Sequence, residues 1–167
     1  MKNTTLCYIE KDGKYLMLHR IKKKNDCNSH KWIGVGGKFE EKESPEECII
    51  REAYEETGLT LITPVYRGIV TFVSDEWETE QMHLFTCTEF SGTLIPGDNC
   101  EEGILEWVNK EEVSALPIWS GDKLFLELLS RDVPFFSMKL EYCGDTLVFA
   151  SLYGKELQKN ENGCYIL

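Results

Sequence analysis

Residues Gly37 to Leu59, GKFEEKESPEECIIREAYEETGL, decide how the rest of the chain is read. The second half of this stretch carries helix signals at both ends. Ser44 suits an N-cap, Pro45 the first helical position, and Glu47 completes an S-x-x-E capping box. Gly58 is placed to end the helix in the left-handed conformation. Between these signals Glu52, Glu55 and Glu56 fall on one face at about 100° per residue. Ile50, Ala53, Tyr54 and Thr57 are expected to cluster on the opposite side. Three neighbouring carboxylates repel one another and cost helix stability. They are read either as a solvated acidic face, with Arg51 pairing to Glu55, or as ligands for a hard divalent cation.

Composition narrows the classes outside this stretch. The chain has 167 residues, enough for one domain with a proper core, and 42% of them are hydrophobic. The net charge of −11, from 29 acidic and 18 basic residues, argues against a nucleic-acid polymer as partner. A small phosphorylated substrate stays open, because a bound metal reverses the local field. The seven cysteines show no C-x-x-C pair and no zinc spacing. They read as reduced, mostly buried thiols of a cytoplasmic protein. MKNTTLCYIE has no signal-peptide profile, and no 18-residue apolar run occurs, so neither secretion nor a membrane span is expected.

In chain order, Thr4–Glu10 and Lys14–Arg20 read as strands joined at Asp12-Gly13, a hairpin signal. IKKKNDCNSHK, 21–31, reads as a polar, basic loop. It is either a connector or the place where Lys22, Lys23 or Lys24 meets substrate phosphates. WIGVGGKF, 32–39, is a strand weakened by three glycines, which signals a close approach of backbone. Tyr66–Ser74 and Gln81–Phe90 read as strands around an acidic link carrying Trp77. A turn-rich loop (91–99), a short strand (104–108), a helical turn (110–114) and a helix (121–130) follow, the helix turning Leu124, Leu128 and Leu129 inward. A hairpin turned at Gly144-Asp145 closes the domain, taken as 1–155. Residues 156–167 form a tail expected to be loosely held.

The register of the opening stretch resembles the Nudix box, G-x5-E-x7-R-E-U-x-E-E-x-G-U, where U is bulky and apolar. Gly37, Glu43, Arg51, Glu52, Glu55, Glu56, Gly58 and Leu59 match, and Ala53 stands at the first U. This resemblance implies an α/β fold: an α/β/α sandwich with a mixed sheet between the catalytic helix and a C-terminal helix. It also implies hydrolysis of a nucleoside diphosphate linked to another group, with Mg²⁺ as cofactor and Mn²⁺ able to substitute. By position, Glu55 and Glu56 become candidate metal ligands, and Glu52 the remaining ligand or general base. Arg51 becomes the residue that orients the carboxylates, and the Gly36 carbonyl a further ligand. Glu43 is a ligand to a second metal, a brace for the loop, or a surface charge at the helix entry.

Over nearly its whole length the chain looks like the MutT-type, 8-oxo-dGTP diphosphatase branch. KWIGVGGK, the spacing of Glu102 to Trp107, LPIWSGDKLFLELL and FFSMKLEYCGDTLVFASL carry that likeness. It implies that Glu102 joins the metal site, that Trp119 stacks on a purine, and that Asp122 bonds the base edge. Phe72 and Met82 would line the same pocket, with Lys23 near the phosphates. Two departures stand out. Ile33 replaces the asparagine of that branch that touches the base, and Gly121-Asp122 replaces its paired aspartates. The expected activity is therefore cleavage of 8-oxo-dGTP or a related oxidised purine nucleotide to monophosphate and pyrophosphate, a DNA-repair role through sanitation of the nucleotide pool. The alternatives are a broad-specificity nucleotide hydrolase or a non-catalytic nucleotide-sensing module.

Overall fold

The computed structural model describes residues 1–167. Eleven strands and two α-helices occur along the chain. The first strands are β1 (Lys2–Lys11), β2 (Lys14–His19) and β3 (Trp32–Ile33), then α1 (Pro45–Thr57) and β4 (Leu59–Leu61). β5 (Val65–Ser74), β6 (Glu80–Cys87), β7 (Phe90–Gly92) and β8 (Ile104–Asn109) follow. A 3₁₀ turn over Lys110–Ala115 leads to α2 (Asp122–Ser130), β9 (Phe136–Cys143), β10 (Thr146–Leu152) and β11 (Lys155–Glu156). The main sheet runs β11-β10-β9-β5-β6-β1-β2-β3, with β8 also on β2. β1 lies parallel to β6 and β5 parallel to β9, while the other pairs are antiparallel, so the sheet is mixed.

Both faces of the central strands are covered. From β1, Leu6 and Tyr8 enter one core while Cys7 and Ile9 enter the other. β2 divides Tyr15 and Met17 from Leu16 and Leu18 in the same way. This is the period-two alternation of a strand buried on both sides, and it explains the nearly unbroken apolar runs. α2 covers the first face with Leu124, Phe125, Leu128 and Leu129; α1 covers the second with Ile49 and Ala53. Each fully buried Leu, Ile or Phe contributes roughly 1.5–3 kcal/mol. The result is the α/β/α sandwich that the sequence resemblance implies.

Several local expectations shift. The core face of α1 is Cys48, Ile49, Ala53 and Thr57, with Glu56 buried beside them, whereas Tyr54 is 60% exposed. With Ile49 and Ala53 packed into the core, Tyr54 falls about 100° round the helix from Ala53 and lies outside the buried face. The strand expected over 81–90 ends at Cys87, and Phe90–Gly92 instead pairs with Leu59–Leu61 in a separate ribbon. The tail is held rather than loose: Lys155 and Glu156 pair with β10, and Leu157, Tyr165 and Leu167 pack against the α2-side core. All seven cysteines are free thiols, and no helix is long and apolar enough to cross a membrane.

The 32–39 segment is not one strand. Its start pairs with β2 through Trp32 and Ile33; its end crosses to β1, where Val35 pairs with Cys7 and Lys38 with Thr4. A Cβ on Gly34 would meet the Cys7 carbonyl oxygen at 2.6 Å, and one on Gly36 the Thr5 carbonyl oxygen at 2.0 Å. The glycines are therefore dictated by the close approach of two backbones.

The capping box that starts α1 is complete. The Ser44 hydroxyl accepts from the Glu47 N–H at 3.1 Å, and the Glu47 carboxylate accepts from the Ser44 N–H at 2.7 Å. Ser44→Ala is expected to lower unfolding stability by about 1 kcal/mol. A urea titration reads this as a lower midpoint at unchanged slope; an unchanged midpoint would show that the cap contributes nothing.

Candidate active site

A cavity of about 510 Å³ opens where the crossing segment separates β1 from β2. Gly36, Gly37, Lys38, Glu52 and Glu102 line it together with Phe72, Met82, Trp119 and Asp122, and Ile33 and Lys23 also reach its surface. Eight of the residues singled out in the sequence thus face one space: Gly36, Glu52, Glu102, Trp119, Asp122, Phe72, Met82 and Lys23. Arg51, Glu55 and Glu56 stand outside that lining.

Arg51 organises the acidic side. Its guanidinium meets both oxygens of Glu43, at 2.5 and 2.9 Å, and reaches Glu52 at 2.8 Å, Glu55 at 3.2 Å and the Lys38 carbonyl at 3.0 Å. A planar fork of donors suits this multiple engagement better than a lysine would. The Arg51 contact holds the Glu43 carboxyl down to about 2. With both oxygens occupied, Glu43 braces the loop. Glu55 is exposed, and Arg51 is its one partner.

Glu56 lies under the crossing segment, 7% exposed, and accepts the Gly36 N–H at 3.1 Å. Burial, and then the neighbouring Glu102 charge, push its pKa well above the usual carboxylate range, against the pull of the Gly36 N–H. Burial also raises Glu52, against Arg51. Gly37 leaves room for Glu52, since a Cβ there would meet its carboxylate at 2.4 Å.

Arg20 and Asp26 carry no motif in the sequence, yet they complete the site. Buried Arg20 donates to Asp26 at 2.7 Å and to the Glu102 carboxylate. Their sole signal in the sequence was charge, Arg20 bordering the basic loop and Asp26 lying within it. Lys23 Nζ lies 3.5 Å from Glu102. Lys22 is turned to the Asp98 and Cys100 carbonyls instead, and Lys24 is exposed. The 21–31 loop is folded on itself and closes through Arg20 N–H to Lys31 and His30 N–H to Arg20.

The donor set fits a hard divalent cation. Glu52, Glu56 and Glu102 offer oxygen atoms only, Glu56 is buried against a second carboxylate, and the Gly36 carbonyl accepts no backbone hydrogen bond. As they stand, no three acidic, His or Cys side chains converge into a ready-made cage; Glu52 is bonded to Arg51 and Glu102 to Arg20.

On the aromatic side, Trp119 is 5% exposed and packs edge-on against Phe72 and Tyr142, at 5.2 and 4.7 Å between ring centroids. Lys31 Nζ sits 4.3 Å over its ring, outside the cavity. Asp122 begins α2 and is 6% exposed. Burial raises its pKa to about 8, with Lys31 opposing. Gly121 has a packing reason: a Cβ would meet the Tyr142 hydroxyl and Leu140 at 2.6 Å, and that hydroxyl accepts the Gly121 N–H at 2.8 Å. The second aspartate of the resembling branch has no room here.

Comparison with known proteins agrees with this arrangement. A sequence model of the NUDIX domain matches residues 2–129. The chain is 29% identical over 138 residues to the uncharacterized Nudix hydrolase YvcI of Bacillus subtilis, covering 78% of this chain and 80% of that one. It is 28% identical over 135 residues to the oxidized purine nucleoside triphosphate hydrolase of Danio rerio, covering 80% and 83%. The crystal structure of a MutT protein from Bacillus halodurans superposes with a TM-score of 0.79 at 29% identity, over 93% of this chain and 99% of that one. With the domain matched over most of its length and the box held together by Arg51, the chain belongs to the Nudix family.

Proposed function

We propose that the chain is a metal-dependent nucleoside triphosphate pyrophosphohydrolase. Its substrate is 8-oxo-dGTP or a related oxidised purine nucleotide, which it converts to the monophosphate and pyrophosphate. The observation that carries this reading is one cavity lined both by acidic oxygens, those of Glu52 and Glu102, and by Trp119 with a buried Asp122. A polyphosphate and a base are joined in one molecule, and both ends of it find matching chemistry here.

Glu52, Glu56, Glu102 and the Gly36 carbonyl would hold Mg²⁺ or Mn²⁺, with Glu55 at the solvent side. When bound, the ion neutralises the polyphosphate and lowers the pKa of an attacking water. Arg51 keeps Glu52 and Glu55 oriented, and Lys23 meets phosphate charge at the mouth. Trp119 offers the base the ring face that Lys31 leaves open, with Phe72 and Met82 beside it. Asp122 stays protonated at neutral pH, so its carboxyl can accept an N7–H, which oxidised guanine has and guanine lacks, while donating to a neighbouring oxygen.

Broad nucleotide specificity is a second reading, favoured by Ile33, which offers the base no hydrogen bond. The relatives named above and beyond differ in the same sense: one with 29% identity, from Escherichia coli, is a CTP pyrophosphohydrolase. Retention of every box carboxylate weighs against a non-catalytic module.

Pure protein with Mg²⁺ and a nucleotide panel tests the reading. Turnover of 8-oxo-dGTP should exceed that of dGTP, dATP, CTP and ADP-ribose; equal rates would leave broad specificity in its place. Glu56→Gln should lower kcat by about 100-fold or more while keeping or raising the melting temperature, because burial and Glu102 already disfavour the charged form of the carboxyl it replaces. Wild-type rates in that variant would take Glu56 out of the site.

Asp122 also makes a pH prediction. Tyr8, Tyr142 and Lys31 face it. The folded chain keeps the Asp122 proton to about pH 8, while the unfolded chain loses it near 3.8. Folding therefore takes up a proton between these values, and this contribution to stability is greatest at low pH and declines as pH rises to about 8. Asp122→Asn should flatten that decline in melting temperature, and should also remove a rise in KM above about pH 8. An unchanged pH profile in the variant would show that Asp122 does not titrate there.

A further inference from the structure

We infer that Asn28 is a base-reading residue of this cavity: its side-chain amide donates a hydrogen bond to the 6-position carbonyl of an oxo-purine. The inference rests on the nucleotide reading above and names a specificity determinant within it.

Asn28 lines the cavity, and its Oδ1 accepts the indole N–H of Trp119 at 2.9 Å. An indole N–H can only donate, so the amide oxygen must be the atom facing Trp119. The orientation of the amide is thereby settled, and both N–H bonds of Nδ2 point away from that ring. Nδ2 has no protein acceptor, and no buried side-chain polar atom in the structure lacks a partner, so Nδ2 is an open donor.

The backbone beneath it is fixed as well. The Asp26 carboxylate accepts the Asn28 N–H at 3.1 Å and the Arg20 guanidinium at 2.7 Å, while the Asn28 carbonyl accepts from Lys31 at 2.9 Å. A donor held from two sides loses little freedom on binding. Of the other donors in the lining, Lys2 and Thr4 both turn to Glu80 and Lys23 to Glu102, while Lys38 and Trp77 are exposed and no hydrogen bond fixes their direction. Asn25 is exposed and has no comparable support. Ile33 supplies no polar atom, so Asn28 is the uncharged donor with a fixed direction.

Such a group discriminates by chemistry. A carbonyl oxygen at the purine 6-position accepts from Nδ2–H, whereas a 6-amino group brings one donor against another and leaves both unpaired. The expected preference is for 6-oxo over 6-amino purine nucleoside triphosphates.

Asn28→Asp separates this role from a merely structural one. The new carboxylate still accepts the Trp119 N–H but has no N–H to give. Steady-state kinetics of the full chain with Mg²⁺ on 8-oxo-dGTP and 8-oxo-dATP should show kcat/KM for the 6-oxo substrate falling about 10- to 100-fold, the size of one lost base contact. The loss should lie mainly in KM, and the preference over 8-oxo-dATP should shrink or reverse. Asn28→Ala, which adds no charge, should lose activity on 8-oxo-dGTP and little on 8-oxo-dATP. Wild-type kinetics in Asn28→Asp, or equal losses on both substrates in both variants, would overturn the assignment while leaving the nucleotide reading intact. A wild-type chain that hydrolyses no nucleotide would remove both.

Discussion

The rest of the site depends on one close approach of backbones, that of Gly34 to Lys38 against β1. The Thr5 N–H bonds the Gly37 carbonyl at 2.8 Å, and Val35 exchanges two hydrogen bonds with Cys7 at 2.6 and 3.0 Å. No side chain fits at Gly34 or Gly36 without displacing the neighbouring strand. The segment therefore leaves β2 after Ile33 and lands on β1, and the gap it opens is the cavity. The same segment aims the Gly36 N–H at Glu56. Fold and chemistry share one constraint here, and a bulky residue at Gly36 would damage both.

Around that segment the protein manages an excess of negative charge with two arginines. Arg51 gathers Glu43, Glu52 and Glu55 on the solvent side of α1. Arg20 gathers Asp26 and Glu102. Glu56 lies between the two groups with one backbone donor, which is why burial and Glu102 act on it so strongly. Leaving one carboxylate underpaired in a dry place is costly in a structural protein and useful in one that recruits a cation. Arg20 has a second consequence: through Asp26 it holds the loop that presents Asn28 and, beyond it, Trp119. Glu102 and Trp119 are thus joined through Arg20, Asp26 and Asn28 by a single chain of polar contacts.

The regular elements were legible because their signals are local. The Ser44 cap, Pro45, Gly58 and the Asp12-Gly13 turn each act within a few residues, and each is present as read. Box spacing was equally legible, since a fixed register along one helix survives without knowledge of the fold. The inward face of α1 was not, because Tyr54 and Ile49 are both plausible core residues until the helix has something to pack against. The pairing of Phe90–Gly92 with Leu59–Leu61 depends on long-range register that a strand cannot announce by itself. The tail looked polar enough to be free, yet Tyr165 and Leu167 find an apolar surface supplied by distant strands and α2.

By itself, the sequence determined the family, the sandwich of two helices around a mixed sheet, and the set of acids and aromatics from which a site would be drawn. The elements follow from period and caps and the family from motif spacing, while the sandwich is what the resemblance to that family implies. Only the tertiary structure decided which of those residues share a space. It buried Glu56, left Glu55 in solvent, turned Lys22 away and brought Arg20, Asp26 and Asn28 in. It also gave Gly121 its reason in the Tyr142 hydroxyl. The physical cause is common to all of them: partner and burial are properties of residues far apart in the chain, and they exist only once β1, the crossing segment and α2 have closed around one cavity.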